Sequence, residues 1–206
     1  VHNHDRAPWF GCACCPGNIT RFMASVPGYV YATDANSVYV NLYAAGDAEI
    51  PLSKDIVLLT TQTRYPWDGQ VEIRFKKSSS TKFSLKLRVP GWAQNQPVPS
   101  DLYYFADQNS ENVSLKINGE NVKVKVEKGY ITLNKTWKEG DIITLNIPMP
   151  VRKIATAEIV TNNREKLAYQ RGPLVYCFEV KDNNNGFMFD NFADAEENVA
   201  AEFDAQ

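Results

Sequence analysis

The sequence predicts an all-β protein, a jelly-roll-like β-sandwich preceded by a short helical segment. Three observations support this fold class. From residue 29 onward, short segments rich in Val, Ile, Leu, Tyr and Phe follow one another. Several of these segments alternate apolar and polar residues, which is typical of strands with one buried face. Turn signals such as Asn-Gly and Pro-Gly separate them at fairly even spacing, and this pattern favours a sandwich or jelly roll.

A short helix is predicted before the first strand, over residues 18–26. Asn18 is suited to cap its N-terminus, and Pro27 with Gly28 is expected to end it. Its apolar residues fall at helical spacing, at Ile19, Phe22, Met23 and Val26. An apolar helix face needs a partner, so we expect it to lie on the sandwich or to mediate self-association between copies of the chain.

The predicted strands follow in order, with turn residues between them. They are residues 29–32, 37–43, 56–61, 70–75, 83–89, 113–117, 122–126, 130–133, 142–147, 167–170 and 174–180. Asn118-Gly119 is typical of a tight hairpin turn. Residues 94–112 are polar without a clear period, and they are predicted to form a long loop.

The 206 residues are divided into three parts. Residues 1–28 carry the helix, residues 29–155 the sandwich, and residues 156–206 a further β segment that joins the sandwich or begins a second one. The chain starts at Val1 and stops in an acidic stretch, so we expect it to be a piece of a longer polypeptide. Net charge is −2 with both signs interspersed, and no apolar run approaches the ~18–20 residues of a bilayer span. We therefore expect neither nucleic acid nor a membrane as a partner.

Three of the four cysteines lie within four positions, at Cys12, Cys14 and Cys15. They could be buried structural thiols. They could also hold a metal, with His2 and His4 as further ligands, although the spacing is not that of a zinc finger or ribbon. A third interpretation is catalysis, because thiolate is the nucleophilic form of cysteine and a nearby metal or cation populates it.

Other residues that suggest a site are predicted to be structural. Trp67 and Trp92 could stack on sugar rings, but each lies at a strand–turn junction, which favours packing in the core or between sheets. Cys177 lies in an apolar run and is predicted to be buried as a small hydrophobic residue.

The segment 9–21, which contains the Cys-x-Cys-Cys-Pro-Gly-Asn motif, resembles the signature of the β-L-arabinofuranosidases of glycoside hydrolase families 127 and 146. The resemblance continues through residues 27–31, 38–42, 63–69, 87–92, 113–119, 129–131, 137–141, 148–150 and 170–176. It covers most of residues 9–180. One block alone would be weak, whereas the whole series in this order is specific.

The resemblance implies that the chain is the C-terminal portion of a retaining glycoside hydrolase whose intact parent acts on an arabinofuranose-containing glycan. Such enzymes have an (α/α)6-barrel catalytic domain followed by β-sandwiches, so residues 1–28 would be a remnant of the barrel. Cys14 would be the nucleophile, and Cys14 and Cys15 would ligate zinc. The resemblance carries no ligand role over to Cys12.

In those enzymes the other zinc ligands and the acid/base Glu lie upstream. The chain alone is therefore expected to be inactive and to bind zinc weakly or not at all. Two other functions stay open from the residues. The chain could be a carbohydrate-binding module, which predicts glycan binding, or a structural domain that requires zinc, which predicts stoichiometric metal.

Overall fold

A computed structural model describes residues 11–53, 55–109 and 111–177. In this part of the chain, two helices precede the strands, α1 (Cys14–Ser25) and α2 (Pro27–Val30). The strands are β1 (Tyr31–Asp34), β2 (Ser37–Val40), β3 (Gly46–Leu52), β4 (Asp55–Thr63), β5 (Gln70–Lys77), β6 (Phe83–Arg88), β7 (Tyr103–Phe105), β8 (Ser114–Ile117), β9 (Glu120–Val122), β10 (Val126–Glu127), β11 (Tyr130–Lys135), β12 (Ile142–Asn146), β13 (Val151–Thr156), β14 (Ala168–Arg171) and β15 (Leu174–Val175). Short 3-10 turns lie at Gly91–Gln94 and Thr161–Asn163.

The strands form three sheets. The first sheet has the order β1-β2-β6-β11-β10, and the second has the order β3-β4-β5-β12-β8-β9. The third sheet has the order β15-β14-β13-β7. The pair β2 and β6 runs parallel, and the other paired strands described here run antiparallel. Since β2 and β6 are separated by three strands of the second sheet, the chain crosses between the two sheets more than once.

The first and second sheets enclose one apolar core. Along β5, Val71, Ile73 and Phe75 are buried while the residues between them are half-buried or exposed. The same alternation along β6 buries its apolar residues, and both sets belong to one continuous hydrophobic cluster. The rings of Phe75 and Phe83 meet across the two sheets, with centroids 6.2 Å apart. The predicted all-β sandwich is therefore confirmed.

Trp137 closes one end of the sandwich. Its side chain is 2% exposed and stacks on Phe75, with ring centroids 4.8 Å apart and an interplanar angle of 13°. The ammonium group of Lys135 lies 4.9 Å from the indole ring centre on the outer side. A large aromatic side chain in such a position excludes water from the end of the core.

The turn after Trp137 is held by a buried carboxylate. Asp141 accepts hydrogen bonds from the amide group of Asn118 at 2.8 Å and from the backbone N–H of Lys138 at 3.0 Å, and it pairs with Lys135 at 3.3 Å. Burial raises the pKa of Asp141, but the hydrogen bonds and the Lys135 charge outweigh it and hold the pKa below the usual value. This network joins the β8–β9 hairpin to the start of β12.

Arg152 of β13 connects its own strand to the residues that follow β7 in the third sheet and to Asn95, which lies in the segment after β6. Its guanidinium group pairs with the Asp107 carboxylate at 2.8 Å and also donates to the Asn95 side chain at 3.0 Å and the Asp107 carbonyl at 2.9 Å. The same group lies 3.9 Å from the Phe105 ring centre. Because Arg152 is buried, these partners replace the water that would otherwise solvate its charge.

The N-terminal helix differs from its prediction in three respects. It begins at Cys14, so Asn18 lies inside the helix and the prediction that Asn18 caps it is wrong. Pro27 does not end helical structure but begins α2, because proline fits the first position of a helix. Every residue of α1 is exposed, including Ile19, Phe22 and Met23, so the helix does not lie on the sandwich. Self-association through this face stays a prediction.

Candidate functional site

Cys14 and Cys15 are the first two residues of α1. Their Sγ atoms lie 3.8 Å apart, and both side chains are exposed. Ala13 precedes the helix without a side-chain cap, and the first turn carries no acidic residue. The helix therefore begins with two adjacent thiols, at the end where its backbone N–H groups have no partner within the helix.

Side chains further along the helix bond back to its first turn. Asn18 donates from Nδ2 to the Cys14 carbonyl at 3.0 Å, and its Oδ1 accepts a hydrogen bond from Arg21. Thr20 donates from its hydroxyl to the Pro16 carbonyl at 2.8 Å. The Asn18 contact could not be predicted from sequence, because Asn near a helix start is ordinarily assigned to the cap.

The cysteine pair fits two of the four positions around a zinc ion. Two thiolates on one tetrahedral zinc, each at ~2.3 Å from the metal, lie about 3.8 Å from each other. The two Sγ atoms have this separation. Within residues 11–53, 55–109 and 111–177, no group of three or more His, Cys, Asp and Glu could hold a metal ion. Among the described residues, this pair would therefore fill at most two of the four positions of a closed zinc site.

The other cysteines do not join this pair. Cys12 and Cys177 are exposed free thiols, so the prediction that Cys177 is buried is wrong. Cys177 follows β15, which is the edge strand of the third sheet. The interpretation of the cysteine cluster as buried structural thiols is also wrong. His2 and His4 lie outside the described residues.

The two tryptophans of the strand–turn junctions differ from each other. Trp92 is half-buried and packs against the core, as predicted. Trp67 is 51% exposed, so the prediction that it packs in the core or between sheets is wrong. The Trp67 loop turns outward, and its backbone is fixed by Arg171, which donates to the Trp67 carbonyl at 2.7 Å.

Neither helix has the length and the apolar character needed to cross a bilayer, as judged from the described part of the chain.

Comparison with known proteins gives two family matches that adjoin each other. Residues 37–149 match the family described as β-L-arabinofuranosidase, GH127 middle domain. Residues 151–203 match the glycoside hydrolase family 127 C-terminal domain. The two matches meet where the chain leaves the sandwich and enters β13 of the third sheet. The domain boundaries predicted at residues 28 and 155 stay predictions.

Individual relatives agree with these matches. A non-reducing end β-L-arabinofuranosidase of Bifidobacterium longum is 31% identical over 183 residues, which are 86% of this chain and 25% of that protein. A solved GH127 β-arabinofuranosidase is 40% identical with a TM-score of 0.81, over 87% of this chain and 28% of its own.

A GH127 β-L-arabinofuranosidase from Geobacillus stearothermophilus T6 is 34% identical with a TM-score of 0.72, over 90% of this chain and 26% of its own. The chain thus spans about a quarter of the length of the relatives it matches. The two family matches and these structures show that the chain belongs to glycoside hydrolase family 127.

Proposed function

We propose that the intact protein is a retaining β-L-arabinofuranosidase in which Cys14 is the nucleophile and Cys14 with Cys15 holds a zinc ion. The substrate class comes from the relatives, two of which are named as β-L-arabinofuranosidases. One observation supports the pair of Cys14 and Cys15 as the site, and the choice of Cys14 as the nucleophile comes from the resemblance of the motif to the family signature. Two exposed thiols open a helix with their sulfurs 3.8 Å apart, which is the separation of two thiolates on one tetrahedral metal.

The chemistry of a retaining glycosidase needs a nucleophile that can also leave. In the first step the Cys14 sulfur attacks the anomeric carbon of the arabinofuranose, and the bond to the leaving oxygen breaks as that oxygen takes a proton from an acid/base group. In the second step the same group removes a proton from water, which displaces the sulfur. Zinc, when bound, keeps the sulfurs ionised at neutral pH.

The position of Cys14 suits this role. Its sulfur lies at the exposed start of α1, beside that of Cys15. Cys15 follows it in the same turn, and the two residues would together hold a zinc ion through their sulfurs. Cys12 lies before the helix and is the natural control residue.

The chain by itself is proposed to be inactive. The described residues offer two metal ligands where zinc in a closed site takes four. The first turn of α1 offers no carboxylic acid beside the nucleophile. We expect the purified chain to release no nitrophenol from nitrophenyl β-L-arabinofuranoside beyond its Cys14→Ala variant. Turnover by the chain that depends on Cys14 would refute this part of the proposal.

The role of Cys14 is tested in the intact protein. Cys14→Ala is expected to lower kcat by about 10³-fold or more, because removing a nucleophile abolishes the covalent route. Cys12→Ala, an equally exposed cysteine two residues earlier, is expected to keep most of the activity. Equal losses in the two variants would contradict a specific role for Cys14.

A further inference from the structure

Asn18 is held at both ends of its side chain, and one of those ends is Cys14. Its Nδ2 donates to the Cys14 carbonyl at 3.0 Å, and its Oδ1 accepts from the guanidinium group of Arg21. Because an amide has a donor side and an acceptor side, the Arg21 contact fixes which side faces Cys14. The three residues therefore form a chain of hydrogen bonds along one face of α1.

Two similar bonds in the same helix do not reach the cysteines. Thr20 donates to the Pro16 carbonyl at 2.8 Å, and Ser25 donates to the Arg21 carbonyl at 3.2 Å. Each joins a side chain to the carbonyl four residues earlier, as Asn18 does. Among these three bonds, only that of Asn18 ends on a cysteine. The Thr20 and Ser25 bonds can therefore serve as controls for the Asn18 bond.

The hydrogen bond from Asn18 matters for Cys14 because Cys14 lies at the end of a helix. The first residue of a helix has helical structure on one side only, and helix ends fray. No side chain caps this end of the helix. Small rotations of the Cys14 backbone would move its sulfur relative to that of Cys15.

We infer that Asn18, oriented by Arg21, is a positioning residue that holds the Cys14 backbone so that its sulfur keeps its place beside that of Cys15. The inference rests on the proposed function of Cys14. Asn18 acts through Cys14 and is not a catalytic residue. Groups that orient metal ligands typically change metal affinity by ~10–100-fold when they are removed.

The test uses the intact protein with Co²⁺ in place of zinc, since the thiolate-to-cobalt absorption reports how many sulfurs bind and in what geometry. Asn18→Ala is expected to weaken metal binding about tenfold, the lower end of that range, because the bond reaches the backbone and not the sulfur. The absorption per bound cobalt is expected to fall, and kcat is expected to fall with little change in KM.

A second variant separates the donor from the acceptor. Asn18→Asp keeps the oxygen that Arg21 contacts but removes the donor to Cys14, so it is expected to lose as much metal affinity as Asn18→Ala. Thr20→Val and Ser25→Ala are expected to keep the affinity and the absorption of the unmodified protein.

The outcomes separate this inference from the proposed function. Unchanged metal affinity and absorption in both Asn18 variants, beside an inactive Cys14→Ala, would overturn the inference alone. Equal losses in Thr20→Val would also overturn it, because the effect would then be general weakening of the helix. Retained activity in Cys14→Ala would refute the proposed function and the inference together.

Discussion

Replacing Asp107 by alanine is expected to loosen the pairing of β7 with β13 in the third sheet. Asp107 pairs with Arg152 at 2.8 Å, and the Arg152 side chain is 6% exposed whereas that of Asp107 is 32% exposed. Asp107 lies in the middle-domain match and Arg152 in the C-terminal match. The ion pair therefore joins the two family domains.

The expected loss of unfolding free energy depends on the hydrogen bonds that Arg152 retains in the variant. A hydrogen bond to a charged group contributes about 1.5–3 kcal/mol, and a buried charge left without any partner costs about 3–5 kcal/mol. In Asp107→Ala the guanidinium group still donates to Asn95 and to the carbonyl of residue 107, both within 3.0 Å. We therefore expect a loss of about 2 kcal/mol, in the lower part of these ranges.

Urea denaturation followed by tryptophan fluorescence measures this loss, and hydrogen exchange in β13 and β14 is expected to increase. Glu127→Ala is the matched control, because Lys125 and Glu127 also form a close ion pair but both side chains are largely exposed. Exposed pairs contribute little, so the control is expected to show no measurable change. An Asp107→Ala curve that overlays the Glu127→Ala curve would refute the reasoning.

Three further changes are expected to affect the sandwich. Trp137→Ala removes the ring stacked on Phe75 and should cost about 3–5 kcal/mol of unfolding free energy in urea denaturation. Gly69→Ala should lower the thermal midpoint strongly, because its Cβ would lie 1.8 Å from the Ile147 carbonyl oxygen. The pKa of Asp141 is lower in the folded than in the unfolded state, so its contribution is full above the unfolded value and is lost as pH falls through the folded value. Urea midpoints measured from pH 6 down to pH 2 should therefore fall less steeply in Asp141→Asn.

Each of these changes has its own control. Trp137→Phe keeps an aromatic ring and removes an indole N–H that has no partner among the described residues, so it should cost less than alanine. Gly28→Ala adds a Cβ with no atom within 4 Å and should leave the midpoint nearly unchanged. Equal pH slopes for Asp141→Asn and the unmodified chain would contradict the assigned role of the carboxylate.

The strands of the core could be predicted from sequence because one face of each is buried. Alternation identified residues 70–75 and 83–89, and these became β5 and β6. The hairpin at Asn118-Gly119 was also confirmed, since both residues adopt positive φ values of 52° and 87° there.

The missed strands lack that signal. Strand β3 begins at Gly46 and contains Pro51, and both residues interrupt the pattern expected of a strand. Proline is tolerated in β3 because this strand lies at the edge of its sheet. Strand β7 has three residues within the predicted loop 94–112 and pairs with β13, about 50 residues later. Pairing over such a distance leaves no local pattern in the sequence.

The candidate site could be predicted in part. The motif located Cys14 and Cys15, and the structure brings their sulfurs together. The Asn18 contact depends on the residue at which α1 begins, and the exposure of Trp67 depends on the course of its loop. The spacing of apolar residues in the sequence determines neither of these. The Cys-x-Cys-Cys motif therefore identified the two cysteines but not the hydrogen bonds that position them.

The most direct measurement is mass spectrometry of the intact protein after brief exposure to a β-L-arabinofuranoside with a good leaving group, in a variant that lacks the acid/base carboxylate and so cannot complete the second step. The account predicts one pentose unit attached through the sulfur of Cys14, with none on Cys12 or Cys15. A pentose on a carboxylate side chain, with Cys14 unmodified, would contradict it.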